Sequence, residues 1–147
     1  MQSQKQFKRR FSFEFFPPKT DKGKEKLQSV RNQLAEVNPD FFSVTFGAGG
    51  STRDRTIETV LDLHSQGIST APHLSCVGGT RRDVGGLLDL YKEHGINRIV
   101  ALRGDMPSGM GAAGELRYAN ELVEFIREHS GDTFNLEVAA YPEFHPQ

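Results

Sequence analysis

Five short apolar segments recur along the chain at an interval of about 30 residues, and this rhythm restricts the fold more than any other feature. They are Phe11–Phe16, Phe41–Phe46, Thr70–Cys76, Arg98–Arg103 and Phe134–Tyr141, whose starts fall 30, 29 and 28 residues apart before one longer step. Between them lie four stretches with apolar residues three or four apart: Leu27, Val30, Leu34 and Val37; Ile57, Val60, Leu61 and His64; Val84, Leu87, Leu88 and Tyr91; Leu116, Ala119, Leu122, Val123 and Ile126. Such spacing gathers each set on one face of a helix. Gly67, Gly95 and Gly131 follow three of these stretches, where a helix commonly ends in a left-handed residue. Ser51 and Thr52 are candidate N-caps for the second helix and Thr80 for the third. Strand, helix, strand in units of this length predicts right-handed crossovers and a parallel sheet.

Two α/β architectures meet that description. A doubly wound, flavodoxin-like sheet is complete at five strands, whereas a (β/α)8 TIM barrel needs three units more. Taking alternate residues along one face gives Ser12 and Glu14, then Ser43 and Thr45, then Ala71, His73 and Ser75. The later strands give Ala101 and Arg103, then Glu137, Ala139 and Tyr141. Every strand thus has a small or polar face that ends in a functional group at its carboxyl end. An open sheet concentrates ligand groups at one switch point, while a barrel draws them from many strand ends around one axis. The expectation is a TIM barrel with about five of its eight units, preceded by a flexible arm over residues 1–10 and filling 11–147. Five strands leave two open edges, so the expected cause is a truncated chain.

Composition removes several classes of function. A net charge of −1 does not suit a nucleic-acid binder, and Lys8-Arg9-Arg10 reads as a solvated arm. No window approaches the roughly 20 apolar residues of a membrane span. The polar, basic start does not read as a signal peptide. Cys76 is the single cysteine, so no internal disulfide can form, and a reducing cytoplasm is the expected setting.

Glu14 lies in Phe13-Glu14-Phe15-Phe16-Pro17-Pro18, a carboxylate set among phenyl rings. Desolvation by those rings would raise its pKa and leave it protonated near neutrality, as a general acid requires. A strand-end Glu paired to Arg or Lys, or simply hydrated, fits the same residues. Arg103-Gly104-Asp105 follows an apolar run and offers a guanidinium fork, a close backbone approach and a carboxylate; a structural Arg–Asp pair is the alternative. His73 and Cys76 make His-x-x-Cys, but zinc needs three or four ligands, so no metal site is expected. Gly47-Ala48-Gly49-Gly50-Ser51-Thr52 could cradle an anion at a helix start, yet lacks the P-loop ending and the dinucleotide spacing. The loop Met106–Glu115 reads as a mobile segment at the active face.

These segments together resemble methylenetetrahydrofolate reductases of the bacterial type. The matching pieces are Ser12-Phe13-Glu14-Phe15-Phe16-Pro17-Pro18, Ser43-Val44-Thr45-Phe46-Gly47-Ala48 and Arg53-Asp54-Arg55-Thr56. They continue with Ala71-Pro72-His73-Leu74-Ser75-Cys76, Ile99-Val100-Ala101-Leu102-Arg103-Gly104-Asp105 and Val138-Ala139-Ala140-Tyr141-Pro142-Glu143. The resemblance implies an FAD-containing barrel that passes a hydride from NADH, through the flavin, to methylenetetrahydrofolate, for methionine biosynthesis. It implies Glu14 as the general acid that opens the folate's five-membered ring, and Asp105 as the carboxylate that holds the substrate and steadies the resulting cation. It implies Thr45, His73, Arg103, Gly104, Asp105, Tyr118, Ala119, Tyr141 and His145 as FAD contacts. Phe46 stands where the family often has Tyr. Folate and a nicotinamide nucleotide are the implied partners, and a homo-oligomer the implied state of the full-length enzyme. Two rivals remain: an incomplete fragment without flavin or activity, and a flavodoxin-like module, although Phe16-Pro17-Pro18-Lys19 makes a poor phosphate loop.

Overall fold

A computed structural model describes residues 8–46, 50–76, 79–104 and 114–140. Strands and helices alternate as the rhythm predicts: β1 (Ser12–Phe15), α1 (Asp21–Ala35), β2 (Phe41–Val44), α2 (Gly50–Ser65), β3 (Thr70–Ser75), α3 (Arg81–Glu93), β4 (Arg98–Leu102), α4 (Ala119–Ser130) and β5 (Asn135–Val138). Gly67, Gly95 and Gly131 all carry positive φ, the left-handed backbone that ends α2, α3 and α4. Thr80 caps α3 as expected, accepting from the Asp83 amide while the Asp83 carboxylate accepts from the Thr80 amide. Ser51 and Thr52 are not caps: α2 begins at Gly50, which places both inside its first turn.

All four strand pairs are parallel, and the sheet order is β1-β2-β3-β4-β5. A flavodoxin-like sheet reverses direction after its first strand pair, giving the order 2-1-3-4-5. Among the described strands there is no reversal, which removes that rival. The pairing also climbs from strand to strand. β3 pairs with β2 through Thr70, Ala71 and Pro72, and with β4 only from His73 onward. Pro72 has no amide to donate, and it stands where β3 exchanges one neighbour for the other. A stagger of this kind is what a coiling sheet requires. The described strands form a five-stranded open sheet, not a closed ring.

The core lies between the helix-side face of the sheet and α2, α3 and α4. Val44, Leu74, Cys76, Ile99 and Ala101 supply the sheet side, and Val60, Leu63, Val84, Leu88, Tyr91, Leu122 and Ile126 the helix side. α1 differs: none of its residues is fully buried, and Leu27, Val30 and Leu34 are only half-buried. It leans on α2 through Lys24–Glu58 at 2.6 Å and, just past the end of α2, through Arg31–Gln66 at 2.8 Å. Val37, placed on that helical face by its spacing, lies beyond the helix end and is 60% exposed. α3 and α4 close tightly, with His129 Nε2 2.9 Å from Asp89 and its ring against Gly85, where a Cβ would come within 3.1 Å. Of the expected N-terminal arm, residues 8–10 are described; they are exposed, with Arg10 3.9 Å from Asp40.

Candidate active site

The other face of the sheet borders a cleft of about 490 Å³ whose walls include Ser12, Glu14, Ser43, His73 and Glu137. Period-two alternation puts these residues there, because the phenyl and aliphatic side chains between them turn toward the helices. That alternation overturns one expectation. Phe13 and Phe15 do not enclose Glu14: they lie across the sheet from it, and Phe15 stacks on Phe42 with ring centroids 5.3 Å apart. The Glu14 side chain is 50% exposed, so the phenyl shield expected of this motif is absent.

The inward face of β4 also differs from expectation. Val100 pairs with His73 on one side and Glu137 on the other, so Val100 and Leu102 share their face. Ala101 is instead part of the helix-side core. Arg98 follows the same parity as Val100; it is ion-paired with Glu137 and sits 4.8 Å over the Phe41 ring, two residues that line the cleft. Sequence reasoning missed Arg98. The run Ile99-Val100-Ala101-Leu102 is apolar on both faces, as in a strand buried on both sides, and offers no alternation to read.

His73 is buried on the cleft side of β3, with its Nε2 3.4 Å from a Glu14 carboxylate oxygen. Burial pushes its imidazole below the ordinary histidine range, and the Glu14 charge pulls the other way. Cys76, three residues on, faces the helix-side core, so the two never converge on one ligand. Its thiol is pushed up, chiefly by burial, and donates to the Arg103 carbonyl at 3.2 Å. Among the described residues, no group of three His, Cys, Asp or Glu side chains could hold a metal ion. None of the described helices is long and apolar enough to cross a membrane.

The remaining described candidates, Thr45, Arg103, Gly104, Tyr118 and Ala119, lie in the segments that join β2 to α2 and β4 to α4 or at the start of α4. Thr45 follows β2 directly; its amide donates to Phe15 and its carbonyl accepts from Thr56 Oγ1 at 2.9 Å. Thr56, fully buried on α2, thereby fastens the helix to the end of β2, which gives the Arg53-Asp54-Arg55-Thr56 segment a structural task that spacing did not reveal. Arg103 follows β4, its carbonyl accepting from Ser75 Oγ at 3.0 Å as well as from Cys76. Gly104 has φ of 81°, a conformation that glycine adopts without strain. Tyr118 precedes α4 and is 56% exposed, and Ala119 is the first residue of that helix. The backbone amides of Arg117 and Tyr118 donate to the Glu121 carboxylate. Asp105, Tyr141 and His145 lie outside the described residues, as do Gly47-Ala48-Gly49 and most of the Met106–Glu115 loop.

The sequence matches the family model described as methylenetetrahydrofolate reductase over residues 1–147. It is 42% identical over 137 residues to the 5,10-methylenetetrahydrofolate reductase of Salmonella typhimurium, covering 92% of this chain and 45% of that protein. The Escherichia coli protein of the same name is 41% identical with the same coverage. Methylenetetrahydrofolate reductase (NADH) 1 of Arabidopsis thaliana is 40% identical over 141 residues, which is 24% of its length. The chain spans about 45% of the length of the bacterial relatives it matches.

Proposed function

Since the chain belongs to the methylenetetrahydrofolate reductase family, we propose that it carries the acid-bearing part of a flavin-dependent site. That site reduces 5,10-methylenetetrahydrofolate to 5-methyltetrahydrofolate with NAD(P)H as donor. The observation that carries the reading is Glu14 facing the cleft beside His73, on a sheet whose strands follow chain order. The same order and the climbing register support a (β/α)8 barrel as the architecture of the complete catalytic domain.

The strand ends suit a flavin. Gly104 adopts a left-handed backbone that lets a ligand approach the main chain, and the exposed Tyr118 ring offers a surface for stacking. Thr45, His73, Arg103, Gly104, Tyr118 and Ala119 would hold FAD, joined by Asp105, Tyr141 and His145. Bound there, FAD supplies a two-electron carrier between nicotinamide and folate. Glu14 gives a proton to a nitrogen of the folate's five-membered ring. The C–N bond then breaks, its electron pair goes to that nitrogen, and the ring opens to an iminium. Asp105 opposes the positive charge that results and helps to hold the substrate. A cytoplasmic setting and a homo-oligomeric full-length enzyme complete the reading; the lone, buried thiol of Cys76 is in keeping with a reducing compartment.

Stopped-flow absorbance with FAD, NADH and methylenetetrahydrofolate tests it. The chain is expected to bind FAD, and NADH to bleach the flavin in both the natural chain and Glu14→Gln. Folate should restore the colour only in the natural chain. Equal recovery in the variant would remove Glu14 as the acid. A chain that takes up no flavin would establish the alternative of a non-catalytic piece.

A further inference from the structure

The proposed acid poses a problem that its own surroundings do not solve. An acid must hold a proton at the start of each turnover, and the Phe13 and Phe15 rings that would have favoured one stack on Phe42 across the sheet. Half of the Glu14 side chain meets solvent. Something else has to keep a proton at that carboxylate.

We propose that His73 is a positioning residue for Glu14, the two forming a dyad that shares one proton and holds the carboxylate toward the cleft. The inference rests on the reading of Glu14 as the acid. The separation of 3.4 Å between His73 Nε2 and Glu14 Oε2 is an ion-pair distance, a few tenths of an ångström longer than a closed hydrogen bond. Such contacts tighten when substrate arrives. His73 is fixed in the middle of the sheet, between β2 and β4, whereas Glu14 is on the strand beyond β2. The rigid ring therefore defines where the more exposed carboxylate points.

Among the described residues, other charges near this face are already engaged. β2 presents Ser43, and β4 presents Val100 and Leu102, none of them charged. β5 presents Glu137, which is ion-paired with Arg98. Arg10 at the rim is 3.9 Å from Asp40. Glu14 is the charge that acts on His73. Burial of the ring disfavours the imidazolium, and the Glu14 carboxylate opposes that, which makes proton binding at the ring depend on its partner. When the acid delivers that proton to the folate nitrogen, the dyad is one proton short. Water at the exposed side of Glu14 returns it.

The experiment is an NMR titration of the His73 ring in the 147-residue chain, natural and Glu14→Gln, with no flavin or folate present. Loss of the carboxylate is expected to weaken proton binding at His73 about tenfold, the scale of one opposite charge at this distance. An unchanged His73 titration in a folded Glu14→Gln chain would overturn the dyad. Should that variant fail to fold, the natural chain alone decides, because in a dyad the Glu14 side-chain carbon and the His73 ring report the same two steps. Independent, single-step curves would refute it. Since no turnover is measured, this result stands apart from the half-reactions that test Glu14 as acid.

Discussion

Arg98 and Glu137 form an ion pair beside the cleft, and their unequal burial predicts an unequal response to mutation. The Arg98 side chain is 9% exposed and that of Glu137 37%. Exposed ion pairs contribute about 0.2–1 kcal/mol, while removing one partner of a buried pair costs about 3–5 kcal/mol. Glu137→Met leaves the more deeply buried charge without its partner, so the lower end of the buried range applies, about 3 kcal/mol. Arg98→Met leaves a carboxylate that can turn to water, and it forfeits the cation–π contact with Phe41; solvent screening holds its cost to about 1 kcal/mol. The double variant replaces both charges by apolar chains and loses only the Phe41 contact, again about 1 kcal/mol. The coupling between the two sites is then about 3 kcal/mol. Urea unfolding of the four chains, followed by circular dichroism, measures it. Additive single losses, or Arg98→Met costing more than Glu137→Met, would refute the assignment of Arg98 as the charge in need of a partner.

Three further outcomes follow from burial. Leu88→Ala, in the fully buried core between α3 and the sheet, should cost about 3 kcal/mol in the same assay. Val37→Ala, at an exposed site, should stay within about 0.5 kcal/mol. Cys76 has a buried thiol whose pKa is pushed up, so iodoacetamide at mildly alkaline pH should label it at least about tenfold faster in urea than in the folded chain. Equal rates would mean that the helix-side core is open.

The fold was legible wherever a single physical signal was unopposed. Tyr91 and Leu88 lie where the three-and-four spacing puts them, and Thr80 caps α3 because its hydroxyl and Asp83 satisfy each other. Val37 shows the limit of spacing: it continues the apolar pattern, but the helix stops at Ala35 and the chain turns through Asn38, at φ 52°. The inner face was legible in β1 and β3 and at Ser43 of β2, where small or polar residues alternate with large apolar ones; Phe41 of β2 lines the cleft as well. It was not legible in β4, whose residues are apolar on both sides, and the assignment there slipped by one position. Glu14 was singled out for its phenyl neighbours, yet its placement depends on the histidine that a different strand brings beside it. That is a tertiary relation between positions 59 residues apart, and no local pattern encodes it.

The strict neighbour-to-neighbour order of the strands bears on how such a chain is made. Each ladder joins residues only 27 to 37 positions apart, so no strand waits for a distant partner. Loop closure over such spans is entropically modest, and each new strand finds its template already in place. A ribosome releasing this polypeptide from its amino end would deliver the pieces in the order in which they dock. Assembly can keep pace with synthesis, and each edge left open by one unit is the landing site for the next.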